Sequence, residues 1–132
     1  VIKKKKKNKG NSITITNFVS SRIHTYAMYV LEKTVEFDKW LRKLNDLKAK
    51  AAILLRLQRV ENYGHFGDCK SVGDGISEMR LNISKGYRIY YKLVGDKMIV
   101  LLVGGDKSSQ TADIEKAKLI GSKIKNDGNY KI

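Results

Sequence analysis

The 132-residue chain has a single cysteine, two histidines and few acidic residues, and it lacks any long apolar run. With Cys69 alone, an internal disulfide is excluded. Cys69, His24 and His65 together are too few for a structural zinc site, which takes four such ligands. This cysteine usage fits a reduced, cytoplasmic setting. No segment approaches the roughly 18 consecutive apolar residues of a membrane-spanning helix. The Ser/Thr/Asn content behind the first lysines also denies the uninterrupted apolar stretch of a secretory signal. What is present is 42% apolar residues, too many for a wholly disordered chain, in a length that suits one domain.

Basic residues dominate, 27 Lys and Arg against 13 Asp and Glu, for a net charge of +14. The excess is uneven. Residues 1–27 carry Lys3 to Lys7, Lys9 and Arg22 and no acid, which is half of it. We read this segment as a basic N-terminal extension, disordered or upstream of a native start at Met28, with room for one short strand over Ser12–Thr16. An arm that neutralises phosphates is the other reading. Residues 28–132 form the folded domain.

Tyr29-Val30-Leu31 and Val35 read as a first strand. Thr34 is placed to cap a helix, with Glu36 and Asp38 in its positive first turn. Phe37, Trp40, Leu41 and Leu44 follow at the spacing of one helical face. Asn45-Asp46 interrupts and caps a second helix with Ile53, Leu57 and Val60 along its buried stripe, and Gly64 ends it. The stretch from Gly64 to Gly75 reads as a glycine-rich loop. The period then shortens to two. Met79, Leu81 and Ile83 alternate with polar residues up to a turn at Ser84-Lys85-Gly86, and Ile89, Tyr91 and Leu93 do so up to Gly95-Asp96. Met98–Val103 is an apolar run suited to a strand covered on both faces. A last helix with Ile114, Ala117 and Ile120-Gly121 on one side closes at Asn126-Asp127-Gly128. The order is β-α-α-β-β-β-α, an α+β fold with a helical hairpin on one face of a mainly antiparallel sheet.

Alternation sorts the polar residues. If Met79, Leu81, Ile83, Ile89, Tyr91 and Leu93 face the helices, then Glu78, Arg80, Arg88 and Tyr90 face out together. Two arginines on adjoining strands repel and contribute nothing to folding. Either Glu78 neutralises them in a surface network, or they form an anion site, since guanidinium groups grip phosphate bidentately. Lys107 beside Gly104-Gly105 completes such a site, and Lys70 and Lys85 line its approaches. Gly104-Gly105-Asp106-Lys107-Ser108 lacks the spacing of a nucleotide-binding phosphate loop, and His65 with Cys69 lacks further metal ligands. Trp40 reads as core.

Several segments in order resemble the RelE/ParE toxin superfamily, most of all its phage-derived, HigB-like members: Thr34-x-x-Phe37-x-x-Trp40-Leu41, Gly64-His65-Phe66-Gly67-Asp68-x-Lys70, Gly75 to Leu81, Gly86 to Tyr91, Leu101 to Gln110 and Asp113-Ile114. The resemblance implies a RelE-like fold and the toxin of a type II toxin–antitoxin pair, a metal- and cofactor-independent endoribonuclease that cuts mRNA on the ribosome and inhibits translation. It implies a helix-turn-helix antitoxin as partner and no membrane. By position Arg88 matches the arginine that grips the scissile phosphate. Arg80 falls where RelE-type enzymes carry a catalytic lysine, and Lys107 near another basic member of that site. Glu78 stands where a second lysine is expected, which makes it a candidate base, and Asp113 stands close to an expected tyrosine. Tyr87 or Tyr90 is placed to stack on a base of the RNA. A ParE-like gyrase inhibitor of the same fold, or an inactive relic that only binds RNA or an antitoxin, is the alternative.

Overall fold

A computed structural model describes residues 28–125. The basic extension with its strand over 12–16 lies outside the described residues, as do residues 126–128; the last helix ends before them, at Gly121, and not at the expected Asn126-Asp127-Gly128 stop. The elements run β1 (Val30–Lys33), α1 (Val35–Lys43), α2 (Leu47–Tyr63), β2 (Cys69–Gly73), β3 (Ile76–Leu81), β4 (Tyr87–Val94), β5 (Met98–Gly105), a 3-10 turn (Lys107–Ser109) and α3 (Gln110–Gly121). The strands form one sheet in the order β1-β5-β4-β3-β2. β1 runs parallel to β5, and the other neighbours are antiparallel.

Capping residues set the helix boundaries. Thr34 Oγ1 accepts a hydrogen bond from Phe37 N at 3.0 Å and donates one to Leu102 O at 2.7 Å, so one buried hydroxyl starts α1 and ties it to β5. Val35 is therefore the first residue of α1 and not part of the first strand. Asp46 starts α2 by accepting from Ala49 N at 3.0 Å. Gly64 ends it in the left-handed region at φ 68°, which glycine adopts without a steric penalty.

The loop expected between Gly64 and Gly75 contains a fifth strand. β2 pairs with β3 as an edge strand, and a two-residue turn joins them at Asp74 and Gly75, both at positive φ (58° and 75°). That is the geometry of a tight hairpin turn.

The sheet is covered on both faces, which corrects the expectation of helices on one. Phe37 and Leu41 of α1 and Ile53, Leu57 and Val60 of α2 pack on Met79, Leu81, Ile89, Tyr91, Ile99 and Leu101. Wholly buried side chains such as Phe37 and Ile53 each contribute about 2 kcal/mol by leaving water. On the opposite face α3 brings Ala117, and Ile124 beyond it, against Ile76, Tyr90, Val100 and Leu102. Gly121 permits that approach, since a Cβ there would stand 2.6 Å from Ile76 Cδ1. Leu93, beside the β4–β5 turn, is exposed and does not join the helix-facing core.

Gly104 and Gly105 serve packing. A Cβ on Gly104 would fall 2.1 Å from the Trp40 ring, and one on Gly105 1.8 Å from Asp113 Oδ2. The two glycines thus let α1 and α3 close on opposite faces of the end of β5. Trp40 is partly buried against the core, and Asp113 accepts a hydrogen bond from the Ser109 hydroxyl.

Candidate functional site

Sheet register places the charged residues. On the face shared with α3, β3 and β4 set Arg80 opposite Arg88 and Glu78 opposite Tyr90, and β2 sets Lys70 opposite Glu78. Directly opposed side chains start about 5 Å apart, so the two arginines need a counter-charge. Glu78 supplies it. Its Oε2 lies 3.7 Å from Arg88 Nε and its Oε1 3.9 Å from Arg80 Nε. Oε2 also accepts hydrogen bonds from the Tyr90 hydroxyl at 3.0 Å and from Gln110 Nε2 at 2.8 Å. Glu78 Oε1 and both arginine Nε atoms are buried without hydrogen-bond partners among the described residues. The carboxylate therefore acts on the arginines through charge, not through closed hydrogen bonds. Arg88 is further braced by donating Nη1–H to Gly86 O at 2.7 Å, and Arg80 reaches Asp68 Oδ1 at 3.4 Å.

Arg88 lies at an open depression of about 380 Å³ lined by Asn82, Ile83, Ser84, Lys85, Gly86 and Lys107 besides itself. Lys85 and Lys107 continue into an adjoining hollow with Asp106 and Ser108. A backbone hydrogen bond from Lys107 N to Lys85 O at 3.3 Å fastens the 3-10 turn to the β3–β4 turn, which brings the two lysines to one rim. Asp106 caps the 3-10 turn, accepting from the Ser108 hydroxyl and from Ser108 N at 2.9 Å. The Ser108 hydroxyl, against a smaller opposing effect of burial, holds its carboxyl below the usual carboxylate range. The arrangement presents one braced guanidinium and two exposed ammonium groups to a small anion. Among the described residues, no carboxylate lines the main depression.

The expected site residues thus fall into three groups. Arg88, Lys85 and Lys107 share the depression. Arg80 is its neighbour across the strands, joined to Arg88 through Glu78, and Lys70 is exposed on the edge strand. Glu78, Tyr87 and Tyr90 do not face solvent. Glu78 and Tyr90 lie fully buried beneath α3, because alternation fixes their face but a helix covers it. Burial, then the hydrogen bond to Glu78, pushes the Tyr90 phenol up. Tyr87 points to the opposite face, 4% exposed, with its ring edge-on to Trp40 and its hydroxyl 3.3 Å from Asp46 Oδ2. Neither tyrosine is open to a stacking base, and Glu78 is a buried counter-charge instead of a base facing substrate. His65 lies against Tyr63. Two supporting residues stand in the sequence motifs without an assigned role, Gln110 at the start of α3 and Asp68 beside Arg80. Both are ordinary polar residues whose role comes only from what packs beside them.

Comparisons with known proteins find relatives in sequence and in fold. Residues 39–125 match the family described as phage-derived protein Gp49-like. An uncharacterized protein of Haemophilus influenzae is 47% identical over 94 residues, covering 71% of this chain and 94% of its own. The free Escherichia coli toxin RelE, solved as a mutant with two arginines replaced by alanine, superposes with a TM-score of 0.56 at 21% identity, over 70% of this chain and 98% of its own. The intact E. coli RelBE toxin–antitoxin complex gives 0.46 at 20% identity, over 59% and 95%. The chain belongs to the phage-derived Gp49-like family, and its fold is that of the E. coli RelE structure.

Proposed function

We propose that this protein is the toxin of a type II toxin–antitoxin pair and acts as a metal-independent endoribonuclease on mRNA at the ribosome, held silent by a helix-turn-helix antitoxin. The observation that carries the reading is the convergence of Arg88, Lys85 and Lys107 on one open depression, with no acid in its lining among the described residues. Such a cluster suits phosphate in the act of transfer, when negative charge builds on its oxygens.

In this reading the ribose 2′-oxygen attacks the adjacent phosphorus as its proton leaves. The P–O5′ bond breaks, and the 5′-oxygen takes up a proton, leaving a 2′,3′-cyclic phosphate. Arg88, steadied by Gly86 O and Glu78, grips the phosphoryl oxygens. Arg80 adds a second positive charge across the strands. Lys107, exposed at the rim, supplies charge or the proton for the leaving oxygen, and Lys85 and Lys70 hold flanking phosphates. Glu78 acts by keeping the two guanidiniums side by side.

The test is induction in cells with mapping of mRNA 5′ ends. Wild type arrests growth and leaves new transcript ends. Arg88→Ala and Lys107→Ala each lower cleavage by about 100-fold, the scale of losing one charge-stabilising donor. Circular dichroism of the purified variants verifies that they fold. Intact transcripts with accumulating DNA breaks overturn the nuclease in favour of a gyrase poison. Undiminished cleavage by a folded Arg88→Ala overturns the site.

A further inference from the structure

We propose that the RNA strand held in the basic depression continues over the β3–β4 turn into a second subsite, which takes the base and phosphate of a neighbouring nucleotide. The inference rests on the nuclease reading of the first site.

The subsite is a notch of about 250 Å³ between α2 and the end of β3, lined by Ala52, Leu55, Arg56, Arg59, Leu81, Asn82 and Ile83. Asn82 and Ile83 line the main depression as well, so the two hollows share a wall and a strand leaving one enters the other. The sides of the notch differ in chemistry. Ala52, Leu55, Leu81 and Ile83 supply apolar lining, with Leu55 48% exposed. Two arginines with different commitments line it as well. Arg56 donates to Phe66 O at 2.8 Å and to Asp68 O at 3.0 Å, which holds the segment leading into β2. Arg59 is exposed and makes no side-chain hydrogen bond or ion pair among the described residues.

Apolar lining beside an uncommitted guanidinium fits a nucleotide. The base covers the aliphatic surface, while the guanidinium stacks on it or meets the adjoining phosphate. Like the main depression, the notch has no carboxylate in its lining among the described residues, so neither hollow sets a negative charge against a polyanion. Charge complementarity and continuity with the phosphate site select an RNA strand as occupant.

The experiment measures binding of the full chain to 2′-O-methyl oligoribonucleotides by fluorescence anisotropy. The methyl group blocks the attacking oxygen, so binding is read without cleavage. An octanucleotide spans both subsites and a dinucleotide only the first. Arg59→Ala is expected to weaken the octanucleotide roughly tenfold, as for a lost charge-assisted contact, and to leave the dinucleotide unchanged. It also reduces the slope of log affinity against log salt by about 0.7, the value for one phosphate on a single strand. Leu55→Glu, in the exposed part of the lining, is expected to weaken the octanucleotide further. Octanucleotide binding by Arg59→Ala equal to wild type, or both probes weakened alike, overturns the second subsite. If wild type does not bind the octanucleotide, the second subsite falls; if it also leaves mRNA on the ribosome uncut, the nuclease reading itself falls.

Discussion

Replacing Glu78 by Gln keeps the size of the side chain and an oxygen to accept from Tyr90 and Gln110, but removes the negative charge between two opposed arginines. Both ion pairs are lost together, 3.7 Å to Arg88 and 3.9 Å to Arg80. Removing one partner of a buried pair costs about 3–5 kcal/mol, because the remaining charge is left uncompensated. Arg88 meets that condition with a side chain 11% exposed. Arg80, at 34%, is partly relieved by water and by Asp68, so its share is discounted for screening. The expected loss is about 3 kcal/mol, a large part of the roughly 5–15 kcal/mol typical of a domain. Urea denaturation should show a lower midpoint with an unchanged slope. The melting temperature should fall by roughly 10–20 °C. The double variant Glu78→Gln/Arg80→Gln should recover part of the loss, since it removes one of the stranded charges. A Glu78→Gln protein within about 0.5 kcal/mol of wild type, the ordinary scatter of a neutral substitution, would refute the assignment of Glu78 as counter-charge.

Thr34→Ala should cost about 2 kcal/mol in the same denaturation assay. It deletes a helix cap worth about 1 kcal/mol and leaves the buried Leu102 carbonyl without its hydroxyl donor. For Asp46, hydrogen bonds led by the one from Ala49 N hold the folded-state carboxyl below its ordinary 3.8. Its stabilising contribution is therefore complete above that value and disappears as pH falls through the lower folded-state pKa. The stability gap between wild type and Asp46→Asn, followed by urea titration, should be constant near neutrality and close only in strong acid.

Much of the fold is legible in the sequence because periodicity reports burial. The i, i+3, i+4 spacing of Phe37, Trp40 and Leu41 marks α1, and the alternation around Met79 and Ile89 marks β3 and β4. Two features escape that signal. β2 is an edge strand whose residues are mostly exposed, so it shows no alternation; the Asp74-Gly75 pair, a favoured hairpin turn, is the cue that identifies it. α3 buries only small residues, Ala117 and Gly121, and shows no strong apolar stripe. It is fastened instead by Lys92 Nζ, which donates to Gly121 O at 3.0 Å and Ile124 O at 2.7 Å. Without a visible stripe, the covering of the second face is hidden, and with it the burial of Glu78 and Tyr90. Alternation does put Arg80 and Arg88 on one face, and strand register makes them partners. The meeting of Lys85 with Lys107 depends on a turn-to-turn hydrogen bond that no local pattern encodes.

The parallel pairing of β1 with β5 has a temporal consequence. Val30 pairs with Met98 and Thr34 is tied to Leu102, 68 residues later. Contacts so distant along the chain form late, since loop closure precedes any gain from pairing. As the polypeptide leaves the ribosome from its N-terminal end, β1 waits unpaired until the last strand emerges. Lys107 and Gln110 follow only after that strand. A chain released early would carry Arg80 and Arg88 but neither Lys107 nor the helix that completes their surroundings, so the basic cluster is assembled only in the finished polypeptide.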